Sequence, residues 1–294
     1  MARAKSNGIE LEYETFGNPE ADPILLVMGL GGQLIHWDEP FCKGLADRGH
    51  FVTRFDNRDA GLSTWFDQAD VPDLPSLIGA IGAGEPVAVP YGLDDMADDA
   101  IGLLDFMGLE RAHVCGVSMG GMIVQAISIR HPNRVLSMTS IMSSTGNPDL
   151  PPAAPHVMEK LLETPPRDRE GNVARSAMMA RLVGSPGYPI PEEEVRERAG
   201  FAYDRAFHPE GATRQLAAII THGSRVDALR KVRTPTLVIH GRSDALVPMT
   251  GGIDTADAIA GAKTLWIDGM GHDLPQPLWG QVLDALHEHT AAQR

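Results

Sequence analysis

A chain of 294 residues, 43% hydrophobic and 22% charged, has enough apolar material for one large domain with an insertion or two small ones, which excludes wholesale disorder. The formal charge of −14, with no cluster of Lys and Arg, excludes a nucleic-acid partner, because such binding needs a basic stripe to displace counterions. The opening MARAKSNG lacks the apolar core of a signal peptide, and PILLVMGLGG is too short and glycine-rich to span a bilayer, so the expectation is a soluble cytoplasmic protein with no membrane partner.

GIELEYETFG alternates polar and apolar residues, as a half-exposed antiparallel strand does. ILLVMG (24–29) and FVTRFD (51–56) are nearly continuous apolar runs, the pattern of strands covered on both faces. LDDMADDAIGLLDFMG (93–108) has helical spacing, acids in its first turn and Gly108 just past its end. A buried strand, AHVCGV (112–117), then leads into a helix, GGMIVQAISIRHP (120–132), that stops at Pro132. VLSMTSIM (135–142) is the next strand.

From Ser143 to Arg225 strand character disappears, and prolines separate helical runs such as VARSAMMARLV and EEEVRERAGFAYDRAF. Strands return at TLVIHG (236–241) and TLWID (264–268), and the amphipathic LWGQVLDALHEHT (278–290) closes the chain. Strand–helix alternation predicts a mostly parallel, doubly wound α/β sheet with helices on both faces. The expected core is 1–142 with 226–294, and 143–225 is expected to be a helical lid over the C-terminal strand ends, where open α/β sheets bind ligands.

VCGVSMGG (114–121) sets a serine between glycines where a buried strand meets a helix. It reads either as a loose turn or as a strained turn presenting Ser118 as a nucleophile, with Gly116 and Gly120 lacking the Cβ that would keep strand and helix apart. A serine hydroxyl needs a base, and the base needs an orienting acid. Asp244, in TLVIHGRSDALVP, and His272, in TLWIDGMGHDLP, each follow a strand, so all three fall on one sheet edge in the order Ser, Asp, His. Singly, a loop aspartate is usually a turn former and a loop histidine is usually solvated; the coincidence of all three favours a catalytic reading. His131, His287 and His289 read as helix residues and His240 as strand-end packing. The expected oxyanion donors are the backbone N–H groups of Met119 and of Leu30, in MGLGG (28–32), a loop lacking both the Walker lysine and the dinucleotide spacing. No metal-ligand spacing and no cofactor motif stands out, and Cys115, in its apolar strand, reads as a buried free thiol rather than half of a disulfide with Cys42.

These residues resemble the α/β-hydrolase family: GVSMGG its nucleophile elbow, MGLGG its oxyanion loop, RFDNRDAGLS its strand-four turn, and TPTLVIHGRSDALVP with GMGHDLP its acid and histidine loops. Within it, LLVMG, the Trp37 region and GMGH are similar to aclacinomycin methylesterase-type hydrolases. Most members carry His-Gly where this chain has Met28-Gly29, so different hydrogen bonds must shape the loop. Serine at 118 argues against the dehalogenases and epoxide hydrolases that use aspartate there. The resemblance implies a cofactor-free serine carboxylesterase acting on a small-molecule ester through an acyl-enzyme. Alternatives are the same triad opening a lactone, cleaving a C–C bond or acting as a haloperoxidase, and a binding protein with a retained pocket. Met158, Leu161, Leu162, Met178, Met179, Leu182, Phe201 and Phe207 give the lid an apolar inventory that either meets substrate or packs on the core. Trp37 reads as pocket border or core, and Tyr203, Asp204 and Arg205 as a cluster tying lid helices together.

Overall fold

A computed structural model describes residues 1–293 and begins with a strand that the sequence reading lacked, β1 (Ala2–Ser6). It pairs antiparallel with β2 (Ile9–Phe16) through the dipeptide Asn7-Gly8, whose φ values are 47° and 80°. Asn-Gly adopts positive φ readily, and a two-residue loop of that hand matches the twist of the strands it joins. The signal lay in the turn and not in the basic strand preceding it.

The chain continues through β3 (Asp22–Val27), α1 (Glu39–Ala46), β4 (His50–Phe55), α2 (Leu74–Gly82), α3 (Leu93–Phe106), β5 (Ala112–Val117), α4 (Met119–Arg130) and β6 (Val135–Ile141). Next come α5 (Pro155–Leu162), α6 (Arg169–Val183), α7 (Glu192–Arg205), α8 (Pro209–His222) and α9 (Val226–Leu229), with no strand among the described residues of this stretch. β7 (Thr236–Gly241), α10 (Thr250–Ala258), β8 (Lys263–Ile267) and α11 (Trp279–Ala291) complete it. Helices α1, α2 and α10 were not read from the sequence. α1 and α10 are short, and α2 buries only Leu77, so none carries a long apolar stripe.

The eight strands form one sheet in the order β1-β2-β4-β3-β5-β6-β7-β8, parallel from β4 to β8 and antiparallel where β2 meets β1 and β4. Alternate residues of β3 supply the two cores. Leu25 and Val27 pack with α3 and α4 on one face, while Ile24 and Leu26 pack with α1 and α11 on the other. This two-sided burial is why the strand appears in the sequence as an unbroken apolar run.

From β3 the chain moves outward to β4, then returns across β3 to lay down β5. Loops leaving β3 and β5 therefore diverge, and a crevice opens between their C-terminal ends. β3 ends at Val27, short of the expected Gly29, which frees Met28–Gly32 to form one wall of that crevice. The helical segment between β6 and β7 is fastened over the same edge. Gln33 Nε2 donates to the carbonyls of Ala202 and Ala206 at 2.7 and 2.8 Å, and Arg205 Nη2 lies 2.8 Å from Asp56 Oδ2. Deeper in, Arg214 forms a two-point pair with Asp59 at 2.7 and 3.0 Å.

Candidate active site

Ser118 follows β5 directly and has φ 54° and ψ −120°, a conformation that costs a non-glycine residue of order 1–3 kcal/mol. Its neighbours force it. Ser118 N–H donates to Ile141 O at 2.9 Å, and its carbonyl accepts from Gly121 N–H at 2.9 Å and Ser143 Oγ at 2.7 Å. A Cβ on Gly116 would overlap the Gly120 carbonyl, and one on Gly120 would overlap the Val27 carbonyl. Two glycines thus let β5, α4 and the end of β3 converge behind one half-buried hydroxyl.

His272 Nε2 lies 2.9 Å from Ser118 Oγ, and His272 Nδ1 lies 2.7 Å from Asp244 Oδ2. Asp244 Oδ1 accepts from the N–H groups of Leu246 and Val247 at 2.9 and 2.8 Å, so the carboxylate is locked in its turn. Burial would raise its pKa, but hydrogen bonds from His240, His272 and the Val247 N–H outweigh that and hold it at about 2. It is therefore an anion at neutral pH and stabilises a proton on the facing Nδ1, leaving Nε2 as the acceptor toward Ser118.

His240, read from the sequence as strand-end packing, is fully buried beside the acid. Its Nε2 lies 2.8 Å from Val247 O and 3.5 Å from Asp244 Oδ2. A carbonyl can only accept, so Nε2 carries a proton and its positive edge also faces the carboxylate. The spacing in HGRSD was visible; the turn that folds residue 240 back onto 244 was not.

The N–H of Met119 opens α4 beside Ser118, and the Gly29 Cα is close enough that a Cβ there would lie 3.1 Å from Ser118 Cβ. Neither Met119 N–H nor Leu30 N–H donates to a protein acceptor among the described residues, whereas Gly31 N–H is given to Gln215 Oε1 at 2.8 Å. In place of a histidine at position 28, the loop is held by Asn57 Nδ2 donating to Met28 O at 2.9 Å and by Leu34 N–H donating to Asp56 Oδ1 at 2.6 Å. Gln215, fully buried on α8, also donates through Nε2 to Arg58 O at 2.7 Å. Sequence reasoning missed Gln215, because nothing local marks a helical glutamine as a brace for a loop 184 residues away.

A cavity of about 1040 Å³ runs from Leu30, Gly31 and His272 into the helical segment. Of the apolar inventory in that segment, Leu161, Leu162 and Phe207 line it, and Phe201 is exposed to solvent. Trp37 is core: it is 2% exposed and stacks on Phe41 at 5.6 Å. Asp204 pairs with Arg169 and Tyr203 Oη donates to Arg167 O, both within the segment, while Arg205 reaches the core instead. His36, three residues beyond Gln33, also borders the cavity, with its Nδ1 2.9 Å from Gln33 N–H. Cys42 and Cys115 are buried free thiols. No helix among the described residues is long and apolar enough to cross a membrane.

The family model described as the α/β hydrolase fold matches residues 22–275. Rhodomycin D methylesterase DauP of Streptomyces sp. (strain C5) is 29% identical over 303 aligned positions, covering 97% of this chain and 96% of that protein. A 2-hydroxy-6-oxononadienedioate/2-hydroxy-6-oxononatrienedioate hydrolase of Cupriavidus pinatubonensis is 30% identical over a shorter region, 58% of this chain and 59% of that protein. Among solved structures, the meta-cleavage product hydrolase CumD of Pseudomonas fluorescens IP01 superposes with a TM-score of 0.77 at 19% identity, covering 100% of this chain and 98% of that one. With the strand order, the crevice at the β3/β5 edge and this near-complete match in hand, the chain belongs to the α/β-hydrolase fold family.

Proposed function

We propose that the protein is a serine carboxylesterase using Ser118 as nucleophile, His272 as base and Asp244 as the orienting acid. The observation that carries this reading is the continuous chain from Asp244 Oδ2 through the imidazole to Ser118 Oγ, with contacts of 2.7 and 2.9 Å. Ser118 Oγ attacks the ester carbonyl while His272 Nε2 takes its proton, and the imidazolium so formed is stabilised by the Asp244 anion. The carbonyl oxygen becomes an oxyanion held by the Leu30 and Met119 N–H groups, each worth about 3–4 kcal/mol of transition-state stabilisation. His272 then protonates the departing alcohol, and water, activated by the same nitrogen, releases the acid and restores Ser118. No step calls for a cofactor.

In this reading residues 143–225 are a lid on a core of 1–142 and 226–294. A cavity of about 1040 Å³ matches the upper end of the roughly 300–1,000 Å³ typical of small-molecule sites and suits a bulky acid. The full-length similarity to a methylesterase supports a small leaving alcohol, so the substrate class proposed is the methyl ester of a large, mostly apolar carboxylic acid. The similarity to a 2-hydroxy-6-oxo-dienedioate hydrolase favours the second reading, in which the same triad cleaves a C–C bond next to a ketone.

The experiment is a panel of p-nitrophenyl and methyl esters of increasing acyl size, assayed with and without a serine-directed phosphonate. Turnover that the phosphonate abolishes, absent in Ser118→Ala, is the expected result. Wild-type turnover in Ser118→Ala ends the proposal, and activity confined to a diketone substrate selects the second reading.

A further inference from the structure

We infer that Ser185, two residues past the end of α6, is a positioning residue for His272, so that the helical segment helps set the base as well as covering the cavity. The inference rests on the catalytic reading of His272 proposed above.

The loop carrying His272 is gripped on two sides. On the core side, Ser243 N–H donates to Met270 O at 2.9 Å, which aligns the loop with the turn of Asp244. On the other side the stretch 183–187 meets nearly every residue of the loop. Val183 O accepts from His272 N–H at 2.6 Å, and Gly187 N–H donates to Gly269 O at 2.9 Å. Between those two backbone bonds sits Ser185, 3% exposed, whose Oγ accepts from Gly271 N–H at 2.9 Å and donates to Asp273 Oδ1. The hydroxyl therefore clasps the residues immediately before and after His272.

Two further facts make this clasp specific. A hydroxyl donates and accepts strongly through one atom, so the residue type matches the task. The two backbones also approach closely around it: a Cβ on Gly271 would overlap the Gly184 carbonyl, and one on Gly187 would lie 2.9 Å from the Gly269 Cα. The imidazole ring is oriented by Asp244, but the height of its backbone above Ser118 is set from the α6 side. Loss of the hydroxyl leaves Gly271 N–H without its acceptor and takes one hydrogen bond from Asp273, and a sub-ångström drift of His272 lengthens the contact through which the proton moves.

The test compares Ser185→Ala, Ser185→Thr, Asp273→Asn and Asp273→Ala with wild type. Asp204→Asn, which breaks an ion pair confined to the helical segment, serves as the control for general loosening. Ser185→Ala and Asp273→Ala are expected to lower kcat about 10- to 100-fold with KM changed less than about twofold. Ser185→Thr, which keeps the hydroxyl, is expected to recover most of kcat. Asp273→Asn, which keeps an accepting oxygen for the Ser185 hydroxyl but removes the charge beside His272, is expected to retain more of kcat than Asp273→Ala. Hydrogen exchange across 269–273 should quicken in Ser185→Ala and remain unchanged in Asp204→Asn. Wild-type kcat in Ser185→Ala, or an equal loss in Asp204→Asn, overturns the inference. If Ser185→Ala does not fold, Asp273→Ala removes the acceptor of the Ser185 hydroxyl, one of the two bonds of the clasp, and is judged by the same criteria. Ser118→Ala, run in parallel, separates the two failures: a dead Ser118→Ala with an unaffected Ser185→Ala defeats only the clasp, whereas an active Ser118→Ala defeats the catalytic reading itself.

Discussion

Gly120 stands so close to Val27 that any Cβ on it would overlap the Val27 carbonyl oxygen. This contact fixes how near the end of β3, and with it the Leu30 loop, comes to Ser118. Gly120→Ala should therefore act as overpacking, costing about 1–3 kcal/mol of stability. It should also widen the gap between Leu30 N–H and Ser118, so ester turnover should fall at least about tenfold in the fraction that remains folded. Gly79→Ala is the contrast, because the site has open space around it and lies in a helix; it should be neutral or stabilising by about 0.5–1 kcal/mol. Thermal unfolding with parallel ester assays reads both.

Asp244 gives a pH prediction with a definite sign. Its carboxyl is held at about 2 in the folded chain against about 3.9 unfolded, so the unfolded state binds the proton more readily. The resulting stabilisation, roughly 2 kcal/mol, is fully present above about pH 4 and fades as pH falls through about 2. Urea unfolding of wild type and Asp244→Asn between pH 6 and pH 2 should show their stability difference shrinking over that window. At neutral pH the variant should keep its fold yet lose roughly 10⁴-fold in kcat, since an amide favours the wrong imidazole tautomer.

The Arg214–Asp59 pair carries α8 on the core, with side chains 1% and 0% exposed and Tyr91 Oη on the same carboxylate at 2.7 Å. Burial opposes ionisation of Asp59, but hydrogen bonds from His208, Arg214 and Tyr91 and from the Phe66 N–H hold it well below the usual carboxylate range. Arg214→Met strands that charge and should cost about 3–5 kcal/mol. Adding Asp59→Asn should return part of the loss, which a urea double-mutant cycle measures directly.

Gln215 spends both ends of its amide, accepting from Gly31 N–H and donating to Arg58 O. Gln215→Leu fills the same space but leaves both backbone groups unpaired, at about 1–3 kcal/mol each if they stay dry. Because Gly31 follows Leu30, the expected kinetic signature is a fall in kcat with KM little changed, measured on one good ester.

The thiols give a simple check on packing. Burial pushes Cys42 up to about 12 and drives Cys115 higher still, so neither forms thiolate at neutral pH. Native protein should resist a thiol reagent such as DTNB over hours and release two equivalents once unfolded in guanidinium. Rapid labelling of the native state would contradict the burial of both.

Much of the architecture is written locally. A strand covered on both faces needs apolar residues at every position, so β5 and β7 were bounded to the residue from their composition. A turn that must bring strand and helix together needs glycine, so Gly116 and Gly120 marked the place of Ser118. Likewise Asp244 and His272 announced themselves at strand ends by residue type. What no local pattern contains is who meets whom. That His240 folds back on Asp244, that Gln215 braces the loop beside Leu30, and that Ser185 grips the residues around His272 are contacts across turns or distant segments. Periodicity reports that a side chain is buried, because burial is a property of one residue and the solvent. A polar partner is a property of two chain segments, and only the packing of the helical segment against the sheet edge decides it.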